Sequence, residues 1–216
     1  MTQHRPALLR PASVLLARRS ALVALGITAL LGSLPAHALD LDQLAAQLSS
    51  VPLVHGKFVQ EKHLRGLPKP LLSQGRFVLE RAHGMLWLME TPVKQDYRIV
   101  PAGIEQRTPE GWKPIRQQAG MAQQSRLFTA VLQGDRSALE RDFSLTLSTP
   151  ASGWQLDLVP KSALLKQIFT SIKITGTKYV ERIEMSETQG DSTVVRMVDS
   201  NASQPLTAQE KDDLGL

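Results

Sequence analysis

From Pro52 onward the polarity of the chain switches at every second residue, in run after run separated by Gly, Pro or polar turns, and this excludes a helical bundle. Alternation of this kind puts one side chain in each pair on a buried face. It occurs at 55–61, 73–81, 85–90 and 95–100, and again at 143–148, 153–159, 168–175, 179–186 and 193–198. About nine strands are expected. Most are joined by connections too short for a crossover, so they pair antiparallel. Three stretches read differently. Residues 40–50 set Leu41, Leu44, Ala45 and Leu48 at helical spacing with acids in the first turn. Between Pro114 and Asp135, Met121, Leu127, Phe128, Val131 and Leu132 fall on one helix face. Thr207 and Glu210 have the spacing of a capping box that opens a last short helix.

The first 38 residues follow another logic. Arg5, Arg10, Arg18 and Arg19 precede an uncharged apolar run from Ser20 to Leu34, and Ala36-His37-Ala38 ends it with small residues where a signal peptidase reads. The run is shorter than the roughly twenty residues a spanning helix needs. Residues 1–38 are therefore expected to be a cleaved export signal, and residues 39–216 a single soluble domain. Since the signal holds four arginines and no acid, its removal lowers the formal charge from +5 to +1. A nucleic-acid partner would need basic excess in the folded domain, so none is expected. The chain has no cysteine, which excludes disulfides, thiolate metal sites, a cysteine nucleophile and a lipid anchor on cysteine.

Catalytic sets are hard to find. No Gly-x-Ser-x-Gly elbow occurs, and outside the signal the histidines are His55, His63 and His83. His55 and His63 stand at either end of one strand with lysines nearby, and read as exposed strand-end residues. Acid pairs such as Asp212-Asp213 or Glu181/Glu184 arise freely among twenty carboxylates. Phosphate loops and metal spacings are missing, and no cofactor or metal is expected. Aromatics make up only 5% of the chain, yet apolar residues recur on nearly every strand. The sheet is thus expected to curve around something other than its own chain. Two other readings stay open: an exported enzyme acting on envelope lipid or glycan, and a structural envelope-binding module using an exposed sheet edge.

Phe58-x-Gln60-x-Lys62, then Gly75-x-Phe77, then Arg81 with Trp87 and Pro92 beyond it, resembles the opening half of the LolA/LolB lipoprotein-carrier family. Trp154-Gln155-Leu156-Asp157-Leu158-Val159-Pro160 is similar to that family's strand ending in Leu-x-Pro, and 168–186 to its next two strands. The chain departs from the pattern at Ala82, where the family carries proline, and after Ser200, where the Phe-x-Phe…Pro-x-Gly ending is missing. It resembles a divergent, LolA-like member.

The resemblance implies a mainly β fold with some α: an incomplete antiparallel β-barrel, or half-barrel, covered by a helical lid at about 115–133. It implies a periplasmic carrier that takes the acyl chains of lipoproteins or lipids from an inner-membrane donor and passes them to an outer-membrane acceptor, touching membrane proteins only transiently. Phe58, Phe77, Trp87, Met89 and Trp154 are then expected to line the sheet side of a hydrophobic cavity, and Met121, Leu127, Phe128 and Leu132 its lid side. The alternative is that these residues pack on one another as core. Arg81 matches the family arginine that holds the lid shut through hydrogen bonds to lid backbone.

Overall fold

The structure, a computed structural model, describes residues 39–115, 126–127 and 129–216; Met121 and the side chain of Phe128 lie outside that set. Helix α1 (Leu41–Ser49) opens the domain, started by a reciprocal cap in which the Gln43 amide donates to Asp40 Oδ1 at 2.8 Å and the Asp40 amide to Gln43 Oε1 at 3.0 Å. Six strands follow: β1 (Leu53–His63), β2 (Leu71–Glu80), β3 (Gly84–Thr91), β4 (Gln95–Val100), β5 (Gly103–Thr108) and β6 (Gly111–Pro114). A helical segment, α2, whose described residues are 126–127 and 129–133, leads to α3 (Arg136–Asp142). Then come β7 (Phe143–Ser148), β8 (Trp154–Pro160), the single turn α4 (Ala163–Lys166), β9 (Phe169–Gly176), β10 (Val180–Glu187), β11 (Ser192–Asn201) and α5 (Ala208–Leu214).

The eleven strands of the described residues form one antiparallel sheet in the order β6-β5-β4-β3-β2-β1-β11-β10-β9-β8-β7. Its edges, β6 and β7, do not pair, so the sheet is an open half-barrel with short helices packed on it. Nine strands match the alternating runs. The additional two, β5 and β6, escape such reading because Gly-Ile-Glu-Gln-Arg-Thr and Gly-Trp-Lys-Pro each carry one large apolar residue and hence no period. A further helix, α3, follows the helical region expected between Pro114 and Asp135. Gly134, with φ +69°, ends α2 in the left-handed conformation, and Asp135 caps α3 by accepting from the Ala138 amide at 3.0 Å. A Cβ at Gly134 would stand 2.8 Å from the Ala45 carbonyl oxygen, so a glycine here also lets α2 end against α1.

Strands β2 and β3 are buried on both faces. Phe77, Leu79 and Met85 join a large core under α1 and α2, whereas Val78, Leu86 and Leu88 join a smaller one with Leu214 of α5. This double burial explains the consecutive apolar residues Phe77-Val78-Leu79 and Met85-Leu86-Trp87-Leu88-Met89, which break strict alternation. Gly75 belongs to the same economy of space: a Cβ there would lie 2.0 Å from the Leu88 carbonyl oxygen, where β2 and β3 slip register.

Candidate functional site

The register of the sheet brings the sequence-selected residues together. Phe58 pairs with Gly75 and Gly75 with Met89, while Phe77 pairs with Trp87, so all four side chains point to one face. Phe58 and Trp87 stack with ring centroids 3.6 Å apart and planes 19° from parallel. Phe58, Phe77, Leu127, Leu132 and Trp154 are all buried in the large core, and Trp87 and Met89 pack against it. Trp154 anchors its indole by donating from Nε1 to the Thr177 carbonyl at 2.7 Å. Among the described residues four helices reach this core: α1 through Leu44 and Leu48, α2 through Val131 and Leu132, α3 through Leu139 and α4 through Leu165.

Space on the covered face is unevenly spread. One gap of about 20 Å³ lies between α1, Val131 and Trp154, and another of about 20 Å³ between Phe77, Leu132 and Arg81; each has room for about one water. Among the described residues a far larger cleft, about 800 Å³, opens between the β4–β5 turn, α2, α3 and α4. Its apolar lining includes Ile99, Ile104, Leu127, Leu139, Phe143 and Leu165. That volume lies in the range of small-ligand pockets. Of the residues singled out from sequence, only Leu127 among those described lines it. Ile104, Leu139 and Leu165 were missed because β5, α3 and α4 are too short to carry a readable period, and Ile99 and Phe143, on strands that were read, because the cleft forms only where distant elements meet.

Arg81 lies in the turn after β2 and is half-buried. Its Nη1 donates to the Leu132 carbonyl at 2.8 Å and its Nε to the Val51 carbonyl at 2.5 Å, and its Nη2 donates to the Leu48 carbonyl. Leu48 belongs to the last turn of α1 and Leu132 to the last turn of α2. One guanidinium thus satisfies carbonyls at two helix C-termini, where the helix dipoles favour a cation. Burial lowers its pKa, though a guanidinium so far above neutrality stays charged. Gln133 Nε2 returns a long bond of 3.5 Å to the Arg81 carbonyl. The fork therefore ties two covering helices to the sheet.

On the opposite face α5 is fixed by polar contacts. Trp112 lies under Arg107 and Arg98, at 4.3 Å and 5.1 Å from ring centroid to guanidinium carbon. Asp213, 3% exposed, accepts from Arg107 Nη2 at 2.5 Å, Trp112 Nε1 at 3.3 Å and Gln209 Nε2 at 3.0 Å. Arg98 Nη1 donates to the Asp213 carbonyl at 2.9 Å. His55, expected to be exposed, is instead covered by α5: its side chain is 13% exposed and its Nε2 lies 3.3 Å from Glu210 Oε2. The short C-terminal helix that covers it has too few apolar residues for its docking face to be read. His63 is exposed and lies 3.5 Å from Glu61. Among the described residues no group of three His, Asp or Glu side chains could hold a metal, and no helix is long and apolar enough to cross a membrane.

A model of the family described as "outer membrane lipoprotein carrier protein LolA-like" matches residues 33–211. No curated protein matches the chain in sequence. Among solved structures, the chain is similar to the LolA superfamily protein NE2245 from Nitrosomonas europaea, at 10% identity over 80% of this chain and 97% of that one, with a TM-score of 0.44. It is also similar to MucB, known in a Pseudomonas aeruginosa MucA/MucB complex, at 13% identity over 80% of this chain and 62% of MucB, with a TM-score of 0.50. LprF from Mycobacterium bovis is 11% identical over 77% of this chain and 92% of its own, with a TM-score of 0.39. With 179 consecutive residues matched, from 33 to 211, the chain belongs to the LolA-like family of outer membrane lipoprotein carrier proteins.

Proposed function

We propose that residues 1–38 direct export and that residues 39–216 act in the periplasm as a non-enzymatic carrier, shielding the acyl chains of lipoproteins or lipids on their way from an inner-membrane donor to an outer-membrane acceptor. The observation that carries this is the Arg81 fork, which fastens α1 and α2 over an apolar face by hydrogen bonds to backbone carbonyls alone. An acyl chain of about fourteen methylenes needs about 11 kcal/mol of shielding, at about 0.8 kcal/mol per methylene. A cover held to the sheet by hydrogen bonds to carbonyls, with, among the described residues, only an exposed Asp42–Arg136 pair between α1 and α3, meets that need and still lets cargo leave.

In this scheme the cleft beside α2 and α3 receives the chain first. Parting α1 and α2 from the sheet then extends the space over Phe58, Phe77, Trp87, Met89 and Trp154, with Leu127 and Leu132, and Met121 and Phe128 from the rest of the segment, on the lid side. Arg81 is the latch of the closed form. Uptake of a fluorescent fatty acid by the purified protein tests the lining: Phe58→Glu abolishes uptake and leaves the far-UV circular dichroism native. Unfolding of that variant would instead make Phe58 plain core and remove it from the cavity.

A further inference from the structure

The described residues carry eight exposed large apolar side chains, and four of them, Leu67, Leu71, Leu72 and Val93, sit at one rim of the sheet. Leu67, Leu71 and Leu72 belong to the tip of the β1–β2 hairpin, where Leu71 pairs with Lys62. Val93 belongs to the β3–β4 turn, beside the point where Gln74 pairs with Thr91. The β10–β11 turn adjoins them, since His63 pairs with Ser192 and the Arg65 amide donates to Asp191 Oδ1 at 2.9 Å. Pro68 and Pro70 stiffen the hairpin tip, and Leu71 and Leu72 open β2 directly after it.

The two apolar turns of this rim carry charge of one sign. Arg65, Lys69 and Lys94 are exposed, and none makes an ion pair among the described residues. The segments 64–72 and 92–94 contain no acid. Nearby acids are already engaged: Glu187 with Lys62 at 3.7 Å, Glu90 with Arg76 at 3.0 Å, and Asp191 with the Arg65 amide. Exposed apolar side chains gathered at one edge mark a contact surface. Leucines among unpaired cations, on stiff backbone, suit the interface of an anionic bilayer, where acyl chains lie beneath negative headgroups.

We infer that this rim, built on Leu67, Leu71, Leu72 and Val93 with Arg65, Lys69 and Lys94, docks the protein on an anionic lipid bilayer. The inference rests on the carrier proposal, for it names the surface through which such a carrier meets a membrane. Purified protein is mixed with phosphatidylcholine vesicles, with or without phosphatidylglycerol, and bound protein is measured by flotation. Three cations at roughly fivefold each give about a hundredfold preference for the anionic vesicles, weakened by added salt. Leu67→Ser/Leu72→Ser lowers affinity about tenfold or more, and Lys69→Gln/Lys94→Gln removes most of the anionic preference; both pairs are exposed, and unchanged melting temperatures confirm folding.

Equal binding to both vesicle types, or variants that bind as the parent does, would overturn the docking surface. Rim substitutions that block lipid transfer in cells while vesicle binding is absent would assign the rim to a protein partner, and overturn bilayer docking as well. Fatty-acid uptake is measured on the same samples. Uptake without vesicle binding defeats the docking surface alone, and vesicle binding without uptake defeats the carrier alone.

Discussion

The two faces of strands β2 and β3 are both buried, yet they are covered in opposite ways. On the concave side, α1 and α2 lie over Phe77, Leu79 and Met85, and their polar fastening is the arginine fork on three carbonyls, Gln47 of α1 on the Thr177 carbonyl at 2.7 Å and an exposed Asp42–Arg136 pair between α1 and α3. On the convex side, α5 lies over Val78, Leu86 and Leu88 and is ringed by Asp213, Arg107, Arg98, Trp112, Glu210 and His55. An apolar contact is non-directional and tolerates sliding or exchange. A buried carboxylate accepting several donors tolerates neither, because any displacement leaves charge unpaired. The contrast is what the carrier proposal requires: a cover that can move on one face and one that stays on the other.

Substitutions should separate the two covers, most strongly at the fixed one. Asp213→Ala leaves Arg107 and Trp112 without their shared acceptor, and should cost about 3 kcal/mol of stability, seen as a large fall in melting temperature. A cost below about 1 kcal/mol would make α5 a loose appendage and erase the contrast. Arg81→Leu is expected to cost about 2 kcal/mol in lipid-free protein, with amide hydrogen exchange accelerated in α1 and α2 and unchanged in α5. In the loaded protein the same variant keeps uptake and releases cargo more slowly, because the closed form no longer competes with cargo; unchanged release kinetics would remove the latch. Arg81→Lys should not restore the parent behaviour, since a lysine lacks the planar fork.

The smallest expected effect depends on pH. Burial pushes the Glu210 carboxyl up, but hydrogen bonds from the Thr207 amide, His55 and the Thr207 hydroxyl outweigh it and hold the group below the usual carboxylate range. A depressed acid adds stability that is present above its unfolded pKa of about 4.3, and loses it as pH falls through the lower folded value. The parent should therefore be more stable than Glu210→Gln by about 1 kcal/mol at neutral pH, and the two should converge in acid below about pH 4. A gap that persists in acid would mean that Glu210 supports α5 by shape and not by charge.

How legible each cover was follows from the distance over which its contacts act. Period-two alternation marks a strand locally, so nine strands could be read, while Phe58, Phe77, Trp87 and Met89 were set on one face by the family resemblance; the cap at Thr207–Glu210 announces a helix start within four residues. The convex cover could not be read this way. Arg107 and Asp213 are 106 positions apart, and His55 and Glu210 are 155 apart, with nothing in either segment to name the other. The roomy cleft was hidden for a similar reason, because Ile99, Ile104, Leu139 and Leu165 meet only once the open sheet has curved. Arg81 stood out by resemblance; its three carbonyl partners became visible only with the two helix ends in place.

The most direct test of a movable cover over an acyl-binding face is native mass spectrometry, with lipid extraction, of the protein purified from the periplasm without detergent. A stoichiometric acylated species is the predicted result, and its identity would name the cargo. A protein that is empty, and that also fails to take up a fluorescent fatty acid, would contradict the carrier function while leaving the half-barrel intact.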